Sequence, residues 1–130
     1  MSANDEVLAA AAAIVDDFGH HRTGAYFSGF SEDATYIFYT HTDILRSRAE
    51  YEALWASWEA NDGFRVHGCT STNGAVTLIT DTSAVFTHLV ESTVEFAGEV
   101  STIHERETIV FVLRDGRWLA VHEHLSPAGD

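Results

Sequence analysis

The stretch Arg106-Glu107-Thr108-Ile109-Val110-Phe111-Val112-Leu113-Arg114-Asp115-Gly116-Arg117-Trp118-Leu119-Ala120-Val121-His122-Glu123-His124-Leu125-Ser126 decides the fold. Two apolar runs rich in β-branched and aromatic residues flank Asp115-Gly116. Asp-Gly in that setting is a strong hairpin signal, because glycine takes a positive φ at no steric cost. A two-residue turn there pairs Arg114 with Arg117 and Leu113 with Trp118. Counting on, Phe111 meets Ala120, Ile109 meets His122 and Glu107 meets His124.

Working outward, everything after Gly63 reads as strand, over 64–80, 83–95, 100–113 and 117–125. Ala97-Gly98 at the tip of the preceding hairpin pairs Val90 with Glu105, His88 with Glu107 and Phe86 with Ile109. Asn73-Gly74 reads as a bulge within one long bent strand, since Thr80-Asp81-Thr82 is the better-placed turn. Before Gly63 the periodicity is helical. Val7, Leu8, Ala11, Ile14, Val15 and Phe18 form one stripe of a helix over 4–18, with Asn4 as its N-cap. His20-His21-Arg22 reads as a solvated connection to a short helical turn over 23–28, and 35–39 as a strand. Ser47-Arg48-Ala49-Glu50 is a capping box, opening a helix that carries Tyr51, Leu54, Trp55 and Trp58 on one face. Helices first and a long antiparallel meander after them make an α+β domain, its helices covering one face of a curved sheet.

The chain has 130 residues, enough for one domain over 1–130 with a core of its own. Its formal charge is −13, from 20 acidic residues against seven arginines. Such a surface repels phosphate backbones and anionic lipid, so neither nucleic acid nor a membrane is an expected partner. No apolar run approaches the roughly 18 residues of a membrane span. Asp5 and Glu6, not basic residues, precede the alanine-rich run, so it does not read as a signal-peptide core. The single Cys69 fits a reducing, cytoplasmic setting.

The amphipathic first helix, Phe30-x-x-Asp33-Ala34 entering a strand, the Trp-bearing third helix and the ending Asp115-Gly116-Arg117-Trp118 … His122-Glu123-His124-Leu125-Ser126 resemble the nuclear transport factor 2-like superfamily. Within it, the chain is most similar to the SnoaL-like proteins and to the association domain of calcium/calmodulin-dependent protein kinase II. The resemblance implies a cone-shaped fold, in which a strongly curved antiparallel sheet wraps about three N-terminal helices and leaves a pocket at the open end. It also implies homodimers, or larger rings, packed through the outer sheet face. Members include ketosteroid isomerases, polyketide cyclases, dehydratases and non-catalytic association domains, so the fold settles little about chemistry. Two departures stand out. Val90 and Ile109 occupy positions where the kinase association domain carries pocket arginines, and the isomerase aspartate pair is absent.

Strand alternation sends His88, Glu107 and His124 to one face in neighbouring strands. Directly opposed Cβ atoms lie about 4.5–5.5 Å apart, so the carboxylate reaches both imidazoles. A carboxylate beside an imidazole fixes the tautomer and favours the charged ring, which suits a general acid or base. The expected catalytic set is therefore His88, Glu107 and His124, with Tyr36 as a donor to a developing oxyanion. Tyr36, Trp58, Phe86, Ile109 and His122 are the expected ligand-binding residues. A satisfied buried polar cluster accounts for the same histidines and glutamate without chemistry. Two histidines and a glutamate also suit zinc or iron, but no helical His-x-x-x-His or cysteine pair supports a metal. No cofactor motif is present.

The sequence thus points to a SnoaL-like domain binding a small, largely apolar organic molecule, with cofactor-free acid–base catalysis of the isomerase, cyclase or dehydratase type. A non-catalytic binding or oligomerisation module is the alternative. Val110 and Val112 on the outer face argue for the dimer in either case.

Overall fold

The computed structural model describes residues 1–129. Helix α1 (Ala3–Gly19) is capped by Ser2, whose hydroxyl accepts from the Asp5 amide at 3.1 Å; Asn4, expected at the cap, lies inside the first turn. Val7, Ala11 and Ile14 are its buried stripe, while Leu8 is 38% exposed. Helix α2 (Thr23–Ser28) turns the chain back and buries Tyr26 and Phe27. Strand β1 (Phe30–Phe38) follows, and Leu45 forms a single bridge to Tyr36. Helix α3 (Arg48–Asp62) begins at Ser47, which accepts from the Glu50 amide at 3.1 Å. The Glu50 carboxylate reaches one residue further back than expected, to the Arg46 amide at 3.2 Å. Gly63 closes the helix at φ 60°, a value glycine accepts freely.

Strands β2 (Arg65–Thr80), β3 (Ser83–Phe96), β4 (Glu99–Arg114) and β5 (Arg117–Pro127) complete a five-stranded sheet in the order β1-β5-β4-β3-β2. Only the β1–β5 pair is parallel. The expected bulge is present: pairing of β2 with β3 jumps from Thr72–Leu89 to Ala75–Thr87, with Asn73 at φ 55° between them. The β3–β4 register is the expected one throughout, including His88 opposite Glu107 and Val90 opposite Glu105.

The β4–β5 register is not. It holds from Arg114–Arg117 to Phe111–Ala120, and then Val110 faces His122. One residue, Val121, is inserted as a bulge. Beyond it Ile109 faces Glu123 and Glu107 faces Leu125, and His124 falls opposite Thr108. A one-residue slip sends every later side chain to the other face. The physical cause lies next door. Ala120 donates its amide to Gly29 O at 2.9 Å and pairs with Phe30, yet His122 already pairs with Thr35. β1 thus spends five residues where β5 spends two, and the extra β5 residue is accommodated where that irregular edge meets the sheet. Bulges also raise local twist and bend the strand, which curves the sheet over the helices.

The core lies between α1, α2, α3 and the concave sheet face. Trp55, Tyr36, Phe30, Phe111, Ile109 and Val7 are its largest fully buried side chains. His21, expected in solvent, is wedged between Trp55 and Phe64, with ring centroids at 5.2 and 5.6 Å. Its Nδ1 accepts from the Val66 amide at 2.9 Å, and its Nε2 meets the Glu59 carboxylate at 2.7 Å. Among the described residues no helix is long and apolar enough to cross a membrane.

Candidate functional site

The concave face closes around a cavity of about 320 Å³. Its walls are aromatic and aliphatic: Phe18 from α1, Tyr26 from α2, Tyr51 and Trp58 from α3, and Phe96 and Val94 from β3. Thr40 is the exposed residue among those lining it and marks the way in. Three carboxyl groups face this apolar space, Glu105 and Glu107 from β4 and Glu123 from β5. Their placement follows from parity. Glu105 and Glu107 are two apart on one strand and share a face. The Val121 bulge turns Glu123 onto the same face, diagonal to Glu107 across the Ile109–Glu123 pair.

Behind Glu107 lies a buried relay. His88, its side chain fully shielded, meets Glu107 Oε1 through Nε2 at 2.6 Å. Its Nδ1 meets the Ser71 hydroxyl at 2.6 Å. Both bonds are satisfied when Ser71 donates to Nδ1 and Nε2–H donates to the carboxylate. His88 does not itself line the cavity. It fixes the carboxylate that does.

Burial shifts two of these acids. Burial, followed by the neighbouring Glu107 charge, drives the Glu123 carboxyl well above the ordinary carboxylate range. Glu123 thus keeps its proton beside Glu107, and its Oε1 is buried without a hydrogen-bond partner among the described residues. Burial also raises Glu105, against the lowering effect of the Tyr39 hydroxyl beside it. The Tyr26 and Tyr51 hydroxyls lie 2.9 Å apart in the cavity wall. Burial, with the Glu123 charge next in size, pushes both phenols up, so both remain protonated donors. Cys69, also in the wall, is pushed by burial to about 11 and is no nucleophile.

Measured against expectation, His88 and Glu107 come together as the register required. His124 does not join them. It lies exposed on the outer face, because the Val121 bulge reversed its parity. His122 went with it and meets Thr35 Oγ1 at 2.8 Å, its imidazole held low by burial and then by the His124 charge. Of the expected ligand-binding residues, Trp58 lines the cavity. Tyr36 and Ile109 are fully buried core outside it, and Phe86 packs against a separate shallow groove under α1. Tyr36 is not among the residues lining the cavity, whereas Tyr26 and Tyr51 are. Strand alternation had already put Glu105 on the inner face. Nothing in the sequence around Val121, which has no glycine, announces the bulge that brings Glu123 in.

The family model of the SnoaL-like domain matches residues 7–130. The chain belongs to the SnoaL-like domain family. Solved structures agree on the fold. The ketosteroid isomerase-like protein of Erwinia carotovora atroseptica superimposes on this SnoaL-like domain with a TM-score of 0.81 at 16% identity, over 98% of this chain and 97% of that one. An NTF2-like protein of Prochlorococcus gives 0.80 at 18%, over 100% and 96%. The association domain of C. elegans CaMKII gives 0.71 at 18%, over 94% and 93%. At such identities the likeness shows the fold alone, an α+β NTF2-like domain with a curved, unclosed sheet. No curated protein matches the SnoaL-like domain in sequence. No arginine stands among the residues lining its cavity, and Val90 is in the wall.

Proposed function

We propose that this SnoaL-like domain binds a small, largely apolar organic molecule in its cavity and moves a proton on it without a cofactor. The observation that carries the reading is the pair of unlike carboxyl groups in one apolar space, Glu107 held by His88 and Glu123 kept protonated by burial. A buried carboxyl that burial keeps protonated, beside a second carboxyl held in place by a histidine, suits an acid and a base. Glu107 takes the proton from carbon next to a carbonyl, Glu123 gives one to the carbonyl oxygen, and the hydrogen-bonded Tyr26–Tyr51 pair supplies one further donor. His88 and Ser71 position Glu107 and touch no substrate. The cavity volume sits at the lower end of the range for small-molecule sites, which fits a ligand of one or two rings.

The second reading is a non-catalytic association module. It is favoured by the apolar pairs Val85–Val110 and Val112–Leu119 on the outer sheet face. One experiment separates the two. 1-Indanone, a flat apolar ketone, is incubated with the protein in heavy water, and loss of its α-proton signal is followed by NMR. The enzyme reading expects saturable exchange that falls about 100-fold in Glu107→Gln, with the circular dichroism spectrum unchanged. Glutamine still accepts from His88, so the fold is retained. Exchange no faster than with acetate at equal concentration leaves the association module as the better reading.

A further inference from the structure

The cavity contains a marked imbalance of charge. Among the described residues three carboxyl groups line it, and no lysine, arginine or histidine does. Ion pairs elsewhere relieve other acids, as Arg114 does for Asp33 at 3.0 Å and Arg22 for Asp16 at 2.8 Å. Among the described residues Glu105 and Glu123 have no cationic partner, and Glu123 Oε1, in a residue 3% exposed, has no hydrogen-bond partner. A buried acceptor left in this state costs stability until a donor reaches it. The walls supply the complement. Tyr26, Tyr51, Trp58, Phe64 and Phe96 surround the same space, and aromatic faces attract cations. A bare metal ion is a poor occupant, because among the described residues no three histidine, cysteine or acidic side chains are disposed to hold one. A carboxylate or phosphate ligand would find no cationic side chain among the described residues that line the cavity.

We infer that the cavity selects an organic ammonium ion, a protonated amine on an apolar body of about one ring, with the ammonium against the carboxyl groups of the wall and the body against Tyr51, Trp58 and Phe96. The inference rests on the reading of this cavity as a ligand site and adds the class of ligand. Burial already holds Glu105 and Glu123 above the usual range, and a cation beside either carboxyl opposes that shift.

The test uses three probes with one phenethyl body: phenethylammonium, phenethyl alcohol and hydrocinnamate. Binding to the full-length protein at pH 7 is measured by isothermal titration calorimetry. The expected order is ammonium at least 10-fold tighter than alcohol, and hydrocinnamate at least 10-fold weaker than alcohol. In Glu105→Gln and in Glu123→Gln the ammonium-over-alcohol preference falls to 3-fold or less. If either variant fails to fold, the other and the wild-type order still decide. Alcohol binding as tightly as ammonium, or hydrocinnamate binding best, overturns the ligand class and leaves the cavity reading standing. Absence of heat with all three probes overturns both.

Discussion

Glu123 keeps a proton in the folded state that the unfolded chain releases above its ordinary value near 4.5. The sign follows from linkage. Where the native state binds more protons than the unfolded state, stability falls as pH rises. The SnoaL-like domain should therefore lose stability on going from pH 5 to pH 8, by up to about 1.4 kcal/mol per pH unit for one such proton. Glu105, raised by the same burial, acts in the same direction. Glu107, Tyr26, Tyr51 and Cys69 face Glu123 from the neighbouring elements and set its surroundings. In Glu123→Gln the ionisable group is gone, so its share of the slope is gone too. Urea unfolding at pH 5 and pH 8 reads this directly: the variant gains on the wild type at the higher pH. A constant difference between the two at both pH values would show that Glu123 is not buried as described.

At the scale of elements, the turns decide register, and most of them were legible. Asp115 and Gly116 both have positive φ, at 51° and 77°, as a type I′ hairpin needs. Ala97 and Gly98 repeat the arrangement at 52° and 80°. Alanine gains nothing from a left-handed backbone and pays about 1 kcal/mol for it. Ala97→Gly should raise stability by about 0.5–1 kcal/mol, seen as a higher midpoint in thermal or urea unfolding; a lower midpoint would mean that the turn is of another type. Because both turns were readable, so were the faces of β3 and β4, and with them His88, Glu105 and Glu107. The far half of β5 was not. Its register depends on how β1, distant in sequence, lies against it, and a bulge of ordinary residues leaves no local mark. The helix stripes placed Tyr51 and Trp58 on the inward side of α3, but whether a buried aromatic is core or cavity wall depends on what the opposite element leaves empty. His21 was misread for a related reason: its partners, the Val66 amide and Glu59, lie on elements that meet only after folding.

For the molecule as a whole, the same sheet serves two surfaces. Its concave face encloses the carboxyl groups, and its convex face carries Val85, Val110, Val112 and the 39% exposed Leu89. We expect that convex face to pair two copies, and analytical ultracentrifugation should show a dimer that Val110→Glu converts to a monomer; a wild-type monomer at micromolar concentration would rule this out. The account stands or falls, however, on the concave face, where one inserted residue exchanges two histidines for Glu123. The most direct measurement is a carbon-13 NMR titration of the glutamate carboxyl groups, with Glu123 assigned by its absence from Glu123→Gln. The account expects the Glu123 carboxyl to titrate well above 4.5 and to move back toward that value in Glu107→Gln, because the two groups share one apolar space. Titration near 4.5, indifferent to the substitution at Glu107, would contradict it.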